Sequence, residues 1–154
     1  MEVTHSIFRN VWLVDDDEDD HTVFEEALKE VLPTAALTHL YHCDQLLSNL
    51  VLEPPDILFL DINMPPDDGK VCLRQIRGRK GLNRMPVVIY SCSPHPLDIM
   101  ASYGYGATLY LKKPSRVRDL VTVLRDMFLL NWNDLSGITS AQFERGKFIP
   151  FSTA

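Results

Sequence analysis

The sequence is short of the features that would send a chain across a membrane or onto a nucleic acid. It has three cysteines, Cys43, Cys72 and Cys92, an odd number with no C-x-x-C spacing to hold a metal. They read as reduced core thiols. No apolar run approaches the roughly 20 residues of a membrane helix, and Met1-Glu2-Val3-Thr4-His5 lacks the basic start and apolar core of a secretory signal. A cytoplasmic location is expected. Positive charge is in deficit, 15 Lys and Arg against 21 Asp and Glu, so the net charge of -6 offers no electrostatic footprint for nucleic acid. Partners are expected to be proteins or small ions. The basic stretch from Gly78 to Arg84 reads as a solvated connector. With 154 residues there is room for one ordinary domain, and residues 131–154 are too few for a DNA-binding domain or an enzyme.

What the chain does have is short apolar runs that end in acid. Ile57-Leu58-Phe59-Leu60, introduced by Pro54-Pro55 and closed by a Pro/Gly/Asp turn, reads as a strand buried on both faces, with Asp61 at its carboxyl end. Taken alone, Asp61 could simply cap the turn that follows. Val11-Trp12-Leu13-Val14 is a second such run and leads into six acids, Asp15 to Asp20. Asp17 to Asp20 suit a helix N-terminus, where the macrodipole favours negative charge; Asp15 and Asp16 come too early and belong to the strand end. An apolar stripe of helical period follows at Val23, Phe24, Ala27, Leu28, Val31 and Leu32, stopped by Pro33. The pattern then repeats: a strand near 35–41, a helix opened by Asp44, the Asp61 strand, a helix from Gly69 to Arg77, a strand at 86–90 ending in Ser91, a helix with Pro96 in its first turn, a strand at 107–111 closed by Lys112-Lys113-Pro114, and a last helix capped by Ser115.

Strand and helix alternate five times, which forces parallel pairing with right-handed crossovers. The expected fold is α/β, a doubly wound five-stranded parallel sheet. All carboxyl ends then lie on one edge, where such sheets place their chemistry. That edge collects Asp15, Asp16, Asp61, Ser91 and Lys113. Three carboxylates without a counter-charge raise one another's pKa, so a cation is implied. Lys113 supplies one charge, and a hard, oxygen-seeking ion such as Mg²⁺ suits the rest. An aspartate beside such an ion and a lysine is chemically fitted to in-line attack on phosphorus, with Ser91 able to donate to a phosphoryl oxygen.

In these residues the chain resembles the receiver domain of two-component response regulators, the superfamily of the chemotaxis response regulator, over roughly residues 7–130. Val14-Asp15-Asp16 resembles the acidic pair after the first strand, and Asp61 to Gly69 resembles the phosphoacceptor loop D-x-x-M-P-x-x-D-G. Ser91 stands at the Ser/Thr switch, Tyr110 at the aromatic switch, and Lys113-Pro114 matches the Lys-Pro pair. The resemblance implies a flavodoxin-like (βα)₅ fold and a stand-alone response regulator whose Asp61 accepts phosphate from a sensor histidine kinase or a phosphotransfer protein. It implies Mg²⁺ on Asp16, Asp61 and the Asn63 backbone carbonyl, with Asp15 acting mainly through water. Lys113 would bind the phosphoryl group, and the Lys113–Pro114 bond is expected to be cis. On phosphorylation Ser91 would turn toward the phosphate and Tyr110 would rotate inward, although Tyr110 also reads as an ordinary strand aromatic. Asn63 and Ser93 occupy positions that tune dephosphorylation in the family. The output would pass to a protein target.

Two other readings compete. A haloacid-dehalogenase-type phosphatase also uses a strand-end Asp and Mg²⁺, but it wants a second Asp where this chain has Asn63. A receiver-shaped binding module would never be phosphorylated at all. The tail, 131–154, is expected to be a C-terminal extension with a short helix near a Thr139–Gln142 capping box, ended by Gly146. Its Trp132, Phe143, Phe148 and Phe151 should pack on the domain's own last helix, a homodimer contact being the alternative.

Overall fold

The computed structural model of the chain describes residues 7–153; the reading of Met1 to His5 lies outside the described residues. Strand β1 (Asn10–Val14) is followed by α1 (Glu18–Val31), β2 (Ala36–Leu40), α2 (Cys43–Leu50) and β3 (Ile57–Leu60). A small antiparallel pair, β4 (Asn63–Met64) and β5 (Asp67–Asp68), precedes α3 (Gly69–Arg77). Then come β6 (Val87–Ser91), α4 (Pro96–Gly104), β7 (Leu109–Lys112) and α5 (Val117–Phe128). The five long strands form one sheet in the order β2-β1-β3-β6-β7, every pairing parallel.

Period-two alternation along the buried strands splits the core into two layers. Val11 and Leu13 of β1 join Phe24, Phe59, Leu124 and Phe128 beneath α1 and α5. Trp12 and Val14 point the other way, with Leu46, Leu60, Leu73, Ile76 and Tyr103 beneath α2, α3 and α4. The start of α1 follows from its acids: Asp17 caps it by accepting from the Asp19 N–H, and Glu18, Asp19 and Asp20 occupy the first turn. Pro96 opens α4, capped by His95.

Several expectations are corrected. The last β/α helix begins at Val117, so Arg116 takes the cap position without a side-chain bond and Ser115 falls one residue short of it. In the tail the helix α6 (Leu135–Ser140) starts earlier than expected because Asp134 caps it, accepting from Gly137 N–H at 3.0 Å. Thr139 to Gln142 lies at its end instead. Gly146 does not stop a helix: it shares with Arg145 the positive-φ turn (82° and 53°) of a hairpin, β8 (Phe143–Glu144) with β9 (Lys147–Phe148). The cysteines are not three reduced core thiols. Cys43 and Cys72 form a disulfide between α2 and α3, and Cys92 is free and exposed. Their 29-residue separation in sequence hid a proximity that only the packing of two crossover helices creates.

The tail covers the open side of β7 as well as the last helix. Trp132 stacks edge-on against Phe8 and donates to Met127 O on α5. Thr139 Oγ1 donates to Thr108 O, Phe151 N–H to Tyr110 O at 2.8 Å, and Phe148 stacks on Tyr103 with ring centroids 4.7 Å apart. Unpaired carbonyls of an edge strand are thereby satisfied within the chain.

Candidate functional site

Parallel register places the acids. Val14 of β1 pairs with Leu60 of β3, so the next residues, Asp15 and Asp61, emerge side by side, and the Asp61 N–H donates to Val14 O at 2.9 Å. Asp15 and Asp61 are buried, Asp16 exposed. One carboxylate oxygen from each of the three lies within 4.8 Å of the others. From the far side, β7 delivers Lys113, whose N–H donates to Ser91 O at 2.8 Å. Its ammonium lies 2.7 Å from Asp15 Oδ2, 3.2 Å from Asp61 Oδ2 and 2.7 Å from Asp20 Oδ2.

Burial dominates the electrostatics. It pushes the Asp15 carboxyl up to about 6, against the opposing pull of Lys113 and the Asp17 amide. It raises Asp61 too, partly offset by the Asn63 N–H donating to Asp61 Oδ1 at 3.0 Å and by Lys113. For Lys113 burial acts downward, but contact with Asp15 and Asp20 and the charge of Asp61 outweigh it, and the ammonium is held firmly protonated. Asp15 Oδ2 is buried and meets Lys113 as an ion pair outside hydrogen-bonding geometry, so it lacks an aligned donor. A clustered all-oxygen set of three carboxylates, facing a single ammonium, fits a hard divalent cation.

Gly69 closes the loop after Asp61. Its N–H donates to Ile62 O at 3.2 Å, and a Cβ there would collide with the Asp61 carbonyl oxygen and sit 2.5 Å from Ile62 Cα. Only glycine permits this approach. Ser91 is buried at the rim, its Oγ accepting from Asn63 Nδ2 at 3.4 Å and from Ser93 N–H at 3.2 Å. Ser93 Oγ in turn donates to Asp98, which also pairs with Lys70, so this position is tied to α4. Tyr110 is fully buried and already turned inward, its hydroxyl donating to Ser93 O at 2.7 Å. The Lys113–Pro114 bond is not cis; among the described residues the cis peptide is Pro65–Pro66. The X-Pro preference is small, so the motif alone does not dictate the isomer, and the trans chain still brings Lys113 to Asp61.

Sequence reasoning missed two neighbours. Asp20, counted among the helix-start acids, is a third partner of Lys113, and no local pattern in the sequence marks it for that contact. His21 Nε2 bonds the Asp15 carbonyl at 2.8 Å and its Nδ1 meets His39 at 2.7 Å, beneath the acidic loop. Burial lowers the His21 pKa, favouring the neutral ring.

A parallel sheet of this order, with an acidic triad and a lysine at its carboxyl edge, defines a receiver. The family model of the response regulator receiver domain matches residues 11–125. The chain belongs to that family, whose members are signalling switches of two-component systems. It is 33% identical over 114 residues to the DNA-binding transcriptional regulator NtrC of Salmonella typhimurium, a match covering 74% of this chain and 24% of that protein. It is 34% identical over 71 residues to the response regulator Rcp1 of Synechocystis, covering 46% of this chain and 48% of that one. The matches thus span less than half the length of either relative.

Among solved structures, the phosphorylated cyanobacterial phytochrome response regulator RcpA superposes with a TM-score of 0.71 at 25% identity, covering 77% of this chain and 90% of that one. The Mn²⁺-bound form of Rcp1 follows with a TM-score of 0.65 at 26% identity, covering 91% and 98%. The chemotaxis response regulator CheY4 of Vibrio cholerae, at 20% identity and a TM-score of 0.68 over 79% of this chain and 99% of that one, shares the flavodoxin-like fold.

Proposed function

We propose that the chain is a response regulator whose Asp61 accepts a phosphoryl group from a phosphohistidine on a sensor kinase or phosphotransfer protein, and that it acts in the cytoplasm as a switch, with no turnover beyond its own phosphorylation and dephosphorylation. The observation that carries this reading is the pairing of Lys113 with Asp61 at 3.2 Å inside the triad of Asp15, Asp16 and Asp61. Asp61 Oδ1 accepts from the Asn63 N–H and Oδ2 from Lys113, so the carboxylate is oriented and Lys113 stands beside it to bind the incoming phosphoryl group.

Asp15, Asp16, Asp61 and the Asn63 carbonyl would hold Mg²⁺, which when bound offsets charge on the equatorial phosphoryl oxygens. Ser91 would donate its hydroxyl hydrogen to the phosphoryl group. Because Tyr110 already lies inward, phosphorylation would consolidate an arrangement the protein populates beforehand. The receiver family and Asn63 at the general-acid position both weigh against a dehalogenase-type phosphatase. Incubation with Mg²⁺ and acetyl phosphate followed by intact mass should show one added phosphoryl group, absent in Asp61→Asn and when the metal is chelated beforehand. A mass that never changes would leave a phosphorylation-independent binding module.

A further inference from the structure

The disulfide of Cys43 and Cys72 lies outside the phosphoacceptor machinery yet beside it. Cys43 is the first residue of α2 and half-buried, whereas Cys72 in α3 is fully buried. Their Cα atoms are 6.0 Å apart, within the range a disulfide bridges without moving the backbone. The Cys43 N–H donates to Asp67 Oδ2 at 2.9 Å. Asp67 belongs to the β4–β5 hairpin, which begins two residues after Asp61 and leads into Gly69, packed on the Asp61 backbone. The sulfur bridge and the Asp67 contact thus anchor the far side of the loop to α2.

We propose that Cys43 and Cys72 are a reversible thiol–disulfide pair that latches the loop 61–69, making the phosphoacceptor region responsive to redox state. A disulfide in a cytoplasmic protein is more often redox-sensing than structural, so the inference rests in part on the cytoplasmic reading above. The oxidant it would meet is a small disulfide such as glutathione disulfide. The half-buried Cys43 thiolate attacks one of its sulfurs, forming a mixed disulfide and releasing one glutathione thiol. The Cys72 thiolate then attacks Cys43 Sγ and expels the second. The protein gives up two electrons and two protons, and one glutathione disulfide becomes two thiols. Cys92, exposed on the loop after β6, is distant from this pair in sequence and remains free.

The full chain should be equilibrated in glutathione buffers of stepped redox ratio, quenched with acid, alkylated with N-ethylmaleimide in denaturant and weighed intact. The oxidised chain should take one label and the reduced chain three, passing reversibly from one to the other. Cys43→Ser should abolish the transition and Cys92→Ser preserve it. Hydrogen exchange should show amides of 61–69 opening about threefold or more slowly in the oxidised form. These readouts need no phosphoryl transfer, so their failure is distinct from failure of the switch itself. Three labels at every ratio, a bond that reduces only on unfolding, or equal exchange in both forms would overturn the proposal.

Discussion

At the scale of single residues, the site is a balance between one ammonium and a cluster of acids. Lys113→Ala removes the partner of Asp15, Asp20 and Asp61 together, and leaving buried carboxylates unpaired costs about 3 kcal/mol. Urea unfolding should register that loss, with most of it recovered on adding Mg²⁺. Asp15 makes a second prediction. Its carboxyl titrates at about 6 in the fold against 3.8 ordinarily, so between these values the folded state binds the extra proton. Its ionised form therefore costs stability above about pH 6, and that cost disappears as pH falls toward 4. Metal-free wild type should gain about 1 kcal/mol relative to Asp15→Asn as pH falls from about 7 to about 5. Divalent ion binding should weaken over the same interval, because protonated Asp15 no longer serves it. Calorimetric titration at the two pH values checks this.

Asp15, Asp16, Asp61 and Lys113 were legible in the sequence because each sits where a short apolar run ends. Asp20 was not, since an acid in a helix's first turn has a sufficient local reason to be there. The Cys43–Cys72 pair was not, since neither residue's surroundings in sequence mark it for the other.

At the scale of elements, the loop between Asp61 and α3 depends on Gly69. Gly69→Ala forces the new Cβ against the Asp61 carbonyl, and overpacking of this kind costs about 1–3 kcal/mol. The variant should unfold at lower urea and, where folded, accept phosphate more slowly, as the displaced Asp61 backbone moves its carboxylate off the line to Lys113. A Gly69→Ala protein with wild-type stability and rate would contradict that account. The same segment shows why elements were readable: Ile57–Leu60 between prolines and acid has no competing assignment, and Gly69–Arg77 carries Cys72, Leu73 and Ile76 at helical spacing. The tail was harder. Thr139 to Gln142 has the form of a capping box, yet Asp134 captures the helix start first, and the Arg145-Gly146 turn is stabilised by hairpin partners that local sequence does not announce.

At the scale of the whole molecule, the sheet that separates the two core layers ends at β7, whose outer edge is closed by the tail rather than left open. Tyr110 is held through both of its backbone polar groups: its N–H donates to the Tyr103 hydroxyl, which donates to Ile149 O, and the Tyr110 carbonyl accepts from Phe151 N–H. The residue proposed as the aromatic switch is thus strapped to residues 149–151. Phe148→Ala, which removes a half-buried ring stacked on Tyr103, should cost about 1–2 kcal/mol and quicken amide exchange in β7 while leaving Asp61 able to accept phosphate. Unchanged exchange in β7 would separate the tail from the switch.

The account depends most on Asp61 being the atom-bearing centre of the chemistry. Treatment with Mg²⁺ and acetyl phosphate, then borohydride, reduces an aspartyl phosphate to homoserine, which peptide mass spectrometry locates to a single residue. The expected result is homoserine at position 61 alone, absent in Lys113→Ala and when Mg²⁺ is withheld. Homoserine at Asp15, Asp16 or Asp20, or at no residue under conditions where the fold is intact, would contradict it.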